Sequence, residues 1–96
     1  MEIRNIRHKG LRNYIEKGER KGLPAERIRR IGQIVGFLLD MTGIDEFYDL
    51  QKWQPHVLSG DRDGTYSLTV TANYRITFMY DEAEDEIFDL DYEDYH

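Results

Sequence analysis

The chain has 96 residues, 40% hydrophobic and 33% charged, with no cysteine and a net charge of −6, a composition expected of one compact domain spanning residues 1–96. Without cysteine there are no disulfides or thiolate metal sites, so a reducing cytoplasm is the expected home; the longest apolar run, Ile34 to Leu39, is broken by Gly36 and too short to cross a membrane. Charge is unevenly placed: residues 1 to 37 hold ten Lys/Arg against four Asp/Glu, and residues 38 to 96 three against fifteen, which fits either two solvated faces or a nucleic-acid binder with a basic arm.

At the N-terminus, "MEIRNIRHKG" lacks the apolar core of a secretory signal. Ile3 and Ile6 bracket a short segment ending at His8-Lys9-Gly10 that reads as an edge strand. Leu11, Tyr14 and Ile15 then recur at helical spacing until Gly18 and Gly22 end the turn. Pro24 opens a second helix at its first position, where the missing N–H costs nothing. Ile28, Ile31, Val35, Leu38 and Leu39 form its apolar stripe, with Arg27, Arg29 and Arg30 at or beyond the edges, and the helix is expected to end near Met41-Thr42-Gly43.

After "GIDEFYDL", read as a loop with a turn of helix, the period falls to two. Tyr66, Leu68 and Val70 alternate with Ser67, Thr69 and Thr71; Ile76, Phe78 and Tyr80 alternate with Arg75, Thr77 and Met79; Phe88, Leu90 and Tyr92 alternate with Asp89 and Asp91. Three half-buried strands with tight turns at Ala72-Asn73 and Asp81 to Asp85 follow from that pattern. The expected fold is α+β, two N-terminal helices packed on one face of a small, mostly antiparallel sheet.

Histidine is the side chain suited to both giving and taking a proton near neutrality, and the chain has three: His8, His56 and His96. His56 precedes the polar turn in "QPHVLSGDRDG", while His96 closes the chain after Asp94 and Tyr95, so the end itself is expected to be used. Should the last strand run beside the middle of the sheet, its end brings Asp94, Tyr95 and His96 toward Arg75 and the turn carrying Arg62. Such a set suits cleavage of RNA by its own 2′-hydroxyl: one group removes the 2′ proton, another protonates the departing 5′-oxygen, and fixed cations stabilise the charge on phosphorus. No cofactor or metal is called for. A set of Asp91, Asp94 and His96 matches no structured metal motif, and no Gly-rich phosphate loop or serine triad is present. Spacing alone leaves blander readings open: a loop histidine at 56, a tail residue at 96, Arg62 holding its turn against Asp61 or Asp63, and Arg75 pairing across strands with a residue such as Asp89.

Four stretches narrow the choice. "IRHKGL" (6 to 11), "PHVLSGDRDGTYSL" (55 to 68), "NYRITF" (73 to 78) and "EDYH" (93 to 96) together resemble the HigB-like plasmid-killer toxins of the RelE/ParE superfamily, in the right order over nearly the whole chain. The resemblance implies a RelE-like fold and a bacterial, cytoplasmic toxin that cuts mRNA on the ribosome, against ribosomal RNA. It implies as partner an antitoxin with a helix-turn-helix DNA-binding domain. By position, His56, Asp94, Tyr95 and His96 match the family's catalytic residues, Arg62 and Arg75 its phosphate-holding arginines, and Asn73 reads as a turn residue. Asp94 and the chain-end carboxylate favour protonated His96, making it the candidate acid and His56 the candidate base. Ser59 and Asp63 stand where the family pattern has lysine, and the acidity of the chain adds to the expectation of a slower nuclease. Two alternatives accompany this reading: a gyrase-inhibiting toxin of the same superfamily, and a decayed toxin that only binds its antitoxin.

Overall fold

A computed structural model describes residues 1–95, so the assignment of His96 lies outside the described residues. Strand β1 (Glu2–Ile3) is followed by helices α1 (Lys9–Lys17) and α2 (Ile28–Asp40), then by 3-10 turns at Ile44–Asp49 and Gln51–Trp53. Strands β2 (His56–Val57), β3 (Tyr66–Thr69), β4 (Tyr74–Asp81) and β5 (Glu86–Asp94) complete the chain. The sheet runs β1-β5-β4-β3-β2. All pairs are antiparallel except β1 with β5, which closes the first strand against the last.

Both helices lie on one face of this sheet. Leu11 of α1 and Ile28, Ile31, Ile34, Val35 and Leu38 of α2 share a buried cluster with Leu68, Ile76, Phe78, Ile87, Leu90 and Tyr92 from the strands. Phe47, from the 3-10 turn Ile44–Asp49, plugs the cluster edge-on to Tyr66 and Phe78, with ring centroids 5.0 and 5.7 Å away, a geometry in which aromatic quadrupoles attract. Helix α1 starts at His8, whose Nδ1 accepts the Leu11 N–H at 3.0 Å. It satisfies one of the amides that a helix start leaves unpaired. The Met1 ammonium donates to the carbonyls of Leu39 and Met41 at the negative end of α2, where a cation is favoured.

Three expectations from the pattern need correction. The stripe of α2 includes Ile34, fully buried, whereas Leu39 is 45% exposed. The α-helix itself begins at Ile28, after a 3-10 turn over Ala25–Arg27 that Pro24 precedes, while its end at Asp40, capped by Met41, falls where the pattern put it. Phe88 does not share a face with Leu90 and Tyr92. Asp89 adopts left-handed backbone (φ 51°), and the pairing slips between Thr77, opposite Asp91, and Met79, opposite Phe88. This is a β-bulge, one extra residue that shifts the alternation by one. It turns both Ile87 and Leu90 into the core and leaves Phe88 under the Arg4 guanidinium, 5.1 Å from its ring centre. Asn5 stitches the bulge: its side chain donates to Asp89 Oδ1 and accepts the Asp89 N–H, both at 2.9 Å.

Candidate active site

The segment before the first half of the site departs from regular structure at Gln54, whose backbone is left-handed (φ 50°). A non-glycine residue pays for that conformation unless its surroundings hold it there. Two bonds do so: Gln54 Oε1 accepts the Thr69 hydroxyl at 3.1 Å, and the Gln54 carbonyl lies 3.1 Å from His56 Nδ1. A carbonyl oxygen can only accept, so Nδ1 carries the proton and the neutral ring keeps its lone pair on Nε2. His56 thus sits exposed on the two-residue edge strand β2, paired with Ser67. Periodicity could not reveal a strand of that length.

The chain then tightens into the turn around "GDRDG". Gly60 (φ 73°) and Gly64 (φ 87°) both take backbone open mainly to glycine, bracketing a single 3-10 turn, Gly60–Arg62. The Leu58 N–H donates to the Thr65 carbonyl at 2.8 Å and closes the loop. The loop reaches the sheet face opposite the helices, where the Thr65 hydroxyl meets Met79 Sδ at 3.4 Å. Beneath it Ser67 and Thr77, expected to face solvent, are buried.

Arg62 pairs with neither Asp61 nor Asp63. Its Nη1 and Nη2 donate to the two carboxylate oxygens of Glu93 at 2.8 and 2.7 Å, the parallel fork that makes arginine–carboxylate pairs strong and directional. Glu93 Oε2 also accepts the hydroxyl of buried Thr77. These bonds, that of Arg62 foremost, hold the Glu93 carboxyl below its ordinary 4.5. A depressed carboxylate contributes stability that is complete above the ordinary value and lost only as pH falls through the depressed one, so the fork outlasts the pH at which an unpaired glutamate protonates. Glu93 opens the "EDYH" stretch, and nothing in local spacing marks it as a partner of Arg62. Its partner is 31 residues away, and only the sheet register brings the two together.

Arg75 sits opposite Glu93 across β4 and β5 rather than opposite Asp89. Its guanidinium lies 4.6 Å from the centre of the Tyr95 ring, within cation–π range, and Nη1 donates to the Thr71 carbonyl at 2.7 Å. The Tyr95 N–H donates to the Asn73 carbonyl at 2.7 Å. The end of β5 is therefore pinned to the β3–β4 turn from both backbone and side chain, which makes Asn73 the turn residue it was expected to be.

His56, Ser59, Asp61, Arg62, Asp94 and Tyr95 line one open cleft of about 460 Å³. It unites the imidazole, the turn arginine and the first two residues of the C-terminal triplet. Arg75 is not among the residues that line this cleft, and it touches Tyr95, which is. The cleft has the size of a small-ligand site, yet its charge is mixed: Asp61 and Asp94 face it with Arg62, whose own charge is shared with Glu93. Ser59 lies on its wall.

Comparison with known proteins gives three likenesses. The chain is 42% identical over 94 residues to the endoribonuclease HigB of Proteus vulgaris, covering 98% of this chain and 99% of that protein. It superposes on a chain of the toxin–antitoxin complex RelBE2 from Mycobacterium tuberculosis with a TM-score of 0.52 at 16% identity, over 97% and 95% of the two chains. A YoeB/ParE toxin from Agrobacterium tumefaciens gives a TM-score of 0.49 at 15% identity, over 100% and 99%. No protein-family model matches the chain. No helix among the described residues is long and apolar enough to cross a membrane.

Proposed function

The chain belongs to the HigB-like endoribonuclease toxins of the RelE/ParE superfamily, and from that premise we propose that it is the toxin of a type II toxin–antitoxin pair that cuts mRNA on the ribosome by 2′-hydroxyl attack. The observation that carries the reading is the shared cleft of His56, Arg62, Asp94 and Tyr95. His56 Nε2 takes the 2′-hydroxyl proton. The 2′-oxygen bonds to phosphorus, a 2′,3′-cyclic phosphate forms, and the bond to the 5′-oxygen breaks. His96, in the role of general acid, gives the departing oxygen its proton. Arg62 donates to the phosphoryl oxygens as charge builds on them, and Arg75 acts by fixing Tyr95 at the cleft's edge. This chemistry needs no metal, since proton transfer and guanidinium donors supply what the step requires.

On the ribosome, the exposed Lys17, Arg20, Lys21, Arg29 and Arg30 face ribosomal RNA, which draws a net acidic protein through its basic end. An antitoxin with a helix-turn-helix domain holds the toxin inactive. The toxin–antitoxin assembly of a protein with the same fold supports an antitoxin as partner.

Mapping of mRNA 5′ ends in a cell-free translation reaction tests the proposal. New ends are expected in translated messages and none in messages whose initiation is blocked. Restoring the cleft cation by Ser59→Lys is expected to speed cutting about tenfold, the lower range for a hydrogen bond to a charged group. Translated messages left whole by both proteins would overturn the reading, and DNA cleavage complexes with gyrase in their place would favour the other toxin class.

A further inference from the structure

Glu93 has no part in the chemistry above, yet its carboxylate takes strong bonds from Arg62 and Thr77. Arg62 rides on a single 3-10 turn, and its side chain is 45% exposed. A side chain so long and so wet samples many rotamers unless something holds it. Glu93 is fixed on β5 by its pairing with Arg75 of the central strand β4, and its Oε2 is held again by the buried Thr77 hydroxyl of β4. The fork ties the exposed guanidinium to the sheet. It uses one N–H of each terminal nitrogen, and a guanidinium has five, so Nε and one hydrogen on each terminal nitrogen stay available in fixed directions. The fork also sets a full negative charge within 3 Å of the one guanidinium on the cleft wall.

We propose that Glu93 is a positioning residue for RNA cleavage, aligning the free N–H groups of Arg62 on the scissile phosphate while weakening the cleft's attraction for RNA. The inference rests on the nuclease reading. It makes a paired demand that a merely structural role does not: without the Glu93 charge, RNA binds more tightly and is cut more slowly. An amide at this position accepts one N–H from Arg62 and turns its own NH₂ against the other, so Glu93→Gln breaks the fork and leaves Arg62 charged.

The full-length chain is tested in two assays. One is binding of a 2′-O-methyl oligoribonucleotide, which offers phosphates but cannot be cut, measured across salt concentrations. The other is cutting of translated mRNA. Glu93→Gln is expected to bind the oligonucleotide more tightly, with a salt slope steeper by about 0.7, the value for one further cation on a single strand. It should cut at least about tenfold more slowly, because a displacement near 1 Å can cost a hundredfold. Arg62→Lys, which keeps the charge and cannot form the fork, should retain binding and lose cutting likewise. In an Arg62→Ala background the Glu93→Gln change should do nothing further to either.

Glu93→Gln that melts with wild type but binds no more tightly, or cuts as fast, overturns the proposal. Absence of salt-dependent binding by every form overturns it as well, and should Glu93→Gln fail to fold, Arg62→Lys with wild-type cutting does the same. Wild type that leaves translated mRNA whole refutes the nuclease reading instead, and the binding comparison still decides whether Glu93 restrains Arg62.

Discussion

Replacing His56 with alanine is expected to slow cutting of translated messages by about 10²- to 10⁴-fold, the usual contribution of one acid or base, with little change in RNA affinity or melting temperature. Binding and stability are spared for a structural reason. The ring is exposed, lies on a two-residue edge strand and bonds the Gln54 carbonyl, so truncation leaves no buried cavity and no orphaned buried donor, and the Thr69 hydroxyl still holds Gln54 in its left-handed backbone. Turnover is lost because that same bond commits Nδ1 to a proton and reserves Nε2 for the substrate. A glutamine in place of His56 could still accept a hydrogen bond but has no useful basicity near neutrality, and it should fare no better than alanine. Single-turnover cutting by ribosome-bound protein reads the effect directly. Retention of more than a tenth of wild-type turnover by His56→Ala would remove the residue from the base role.

The largest effect on folding is expected at Gly10, where alanine should lower stability by about 3 kcal/mol, the upper range for overpacking a tight interior. A Cβ at Gly10 would stand 2.1 Å from the Gly22 carbonyl oxygen, and one at Gly22 would stand 2.6 Å from Gly10 Cα. Both obstacles are backbone, so no side chain can swing aside. The contact clamps the start of α1 to the loop leading to α2. It also explains why the glycine in "IRHKGL" is tied to a second glycine twelve residues later. Gly36 is the control: it lies inside α2 with nothing within 4 Å of its Cβ position. Gly36→Ala should therefore raise stability by up to about 1 kcal/mol through helix propensity. Denaturant midpoints separate the two, and a Gly10→Ala protein within about 0.5 kcal/mol of wild type, the range of a featureless surface change, would deny the clamp.

What could be read without coordinates was whatever the chain repeats. The stripe of α2 shows as steps of three and four from Ile28 to Leu38, and β3 and β4 show as strict alternation, because burial on one face selects side chains at the period of the backbone. What escaped depends on single backbone angles or distant partners. Asp89 shifts the alternation of β5 by one residue, and its sign is a left-handed φ with a mate at Asn5, 84 positions away. Gln54 hides β2 in the same way, as a non-glycine residue where glycine is the usual signal. The burial of Ser67 and Thr77 follows from a loop folding over the far sheet face, which local pattern does not encode. At the site, His56, Arg62, Asp94 and Tyr95 converge as their order suggested, since β5 runs beside β4. Arg75 was legible as a cation but not as the support of Tyr95, and the hold of Glu93 on Arg62 was not legible at all.

The central claim is that an imidazole and a fixed guanidinium in one cleft cut RNA with the strand's own 2′-hydroxyl. The ends of the cut message test it most directly. An upstream fragment ending in 2′,3′-cyclic or 3′-phosphate and a downstream fragment beginning with a 5′-hydroxyl are the predicted products. Fragments beginning with 5′-phosphate would mean that water, not the 2′-oxygen, attacked phosphorus, and would contradict the account.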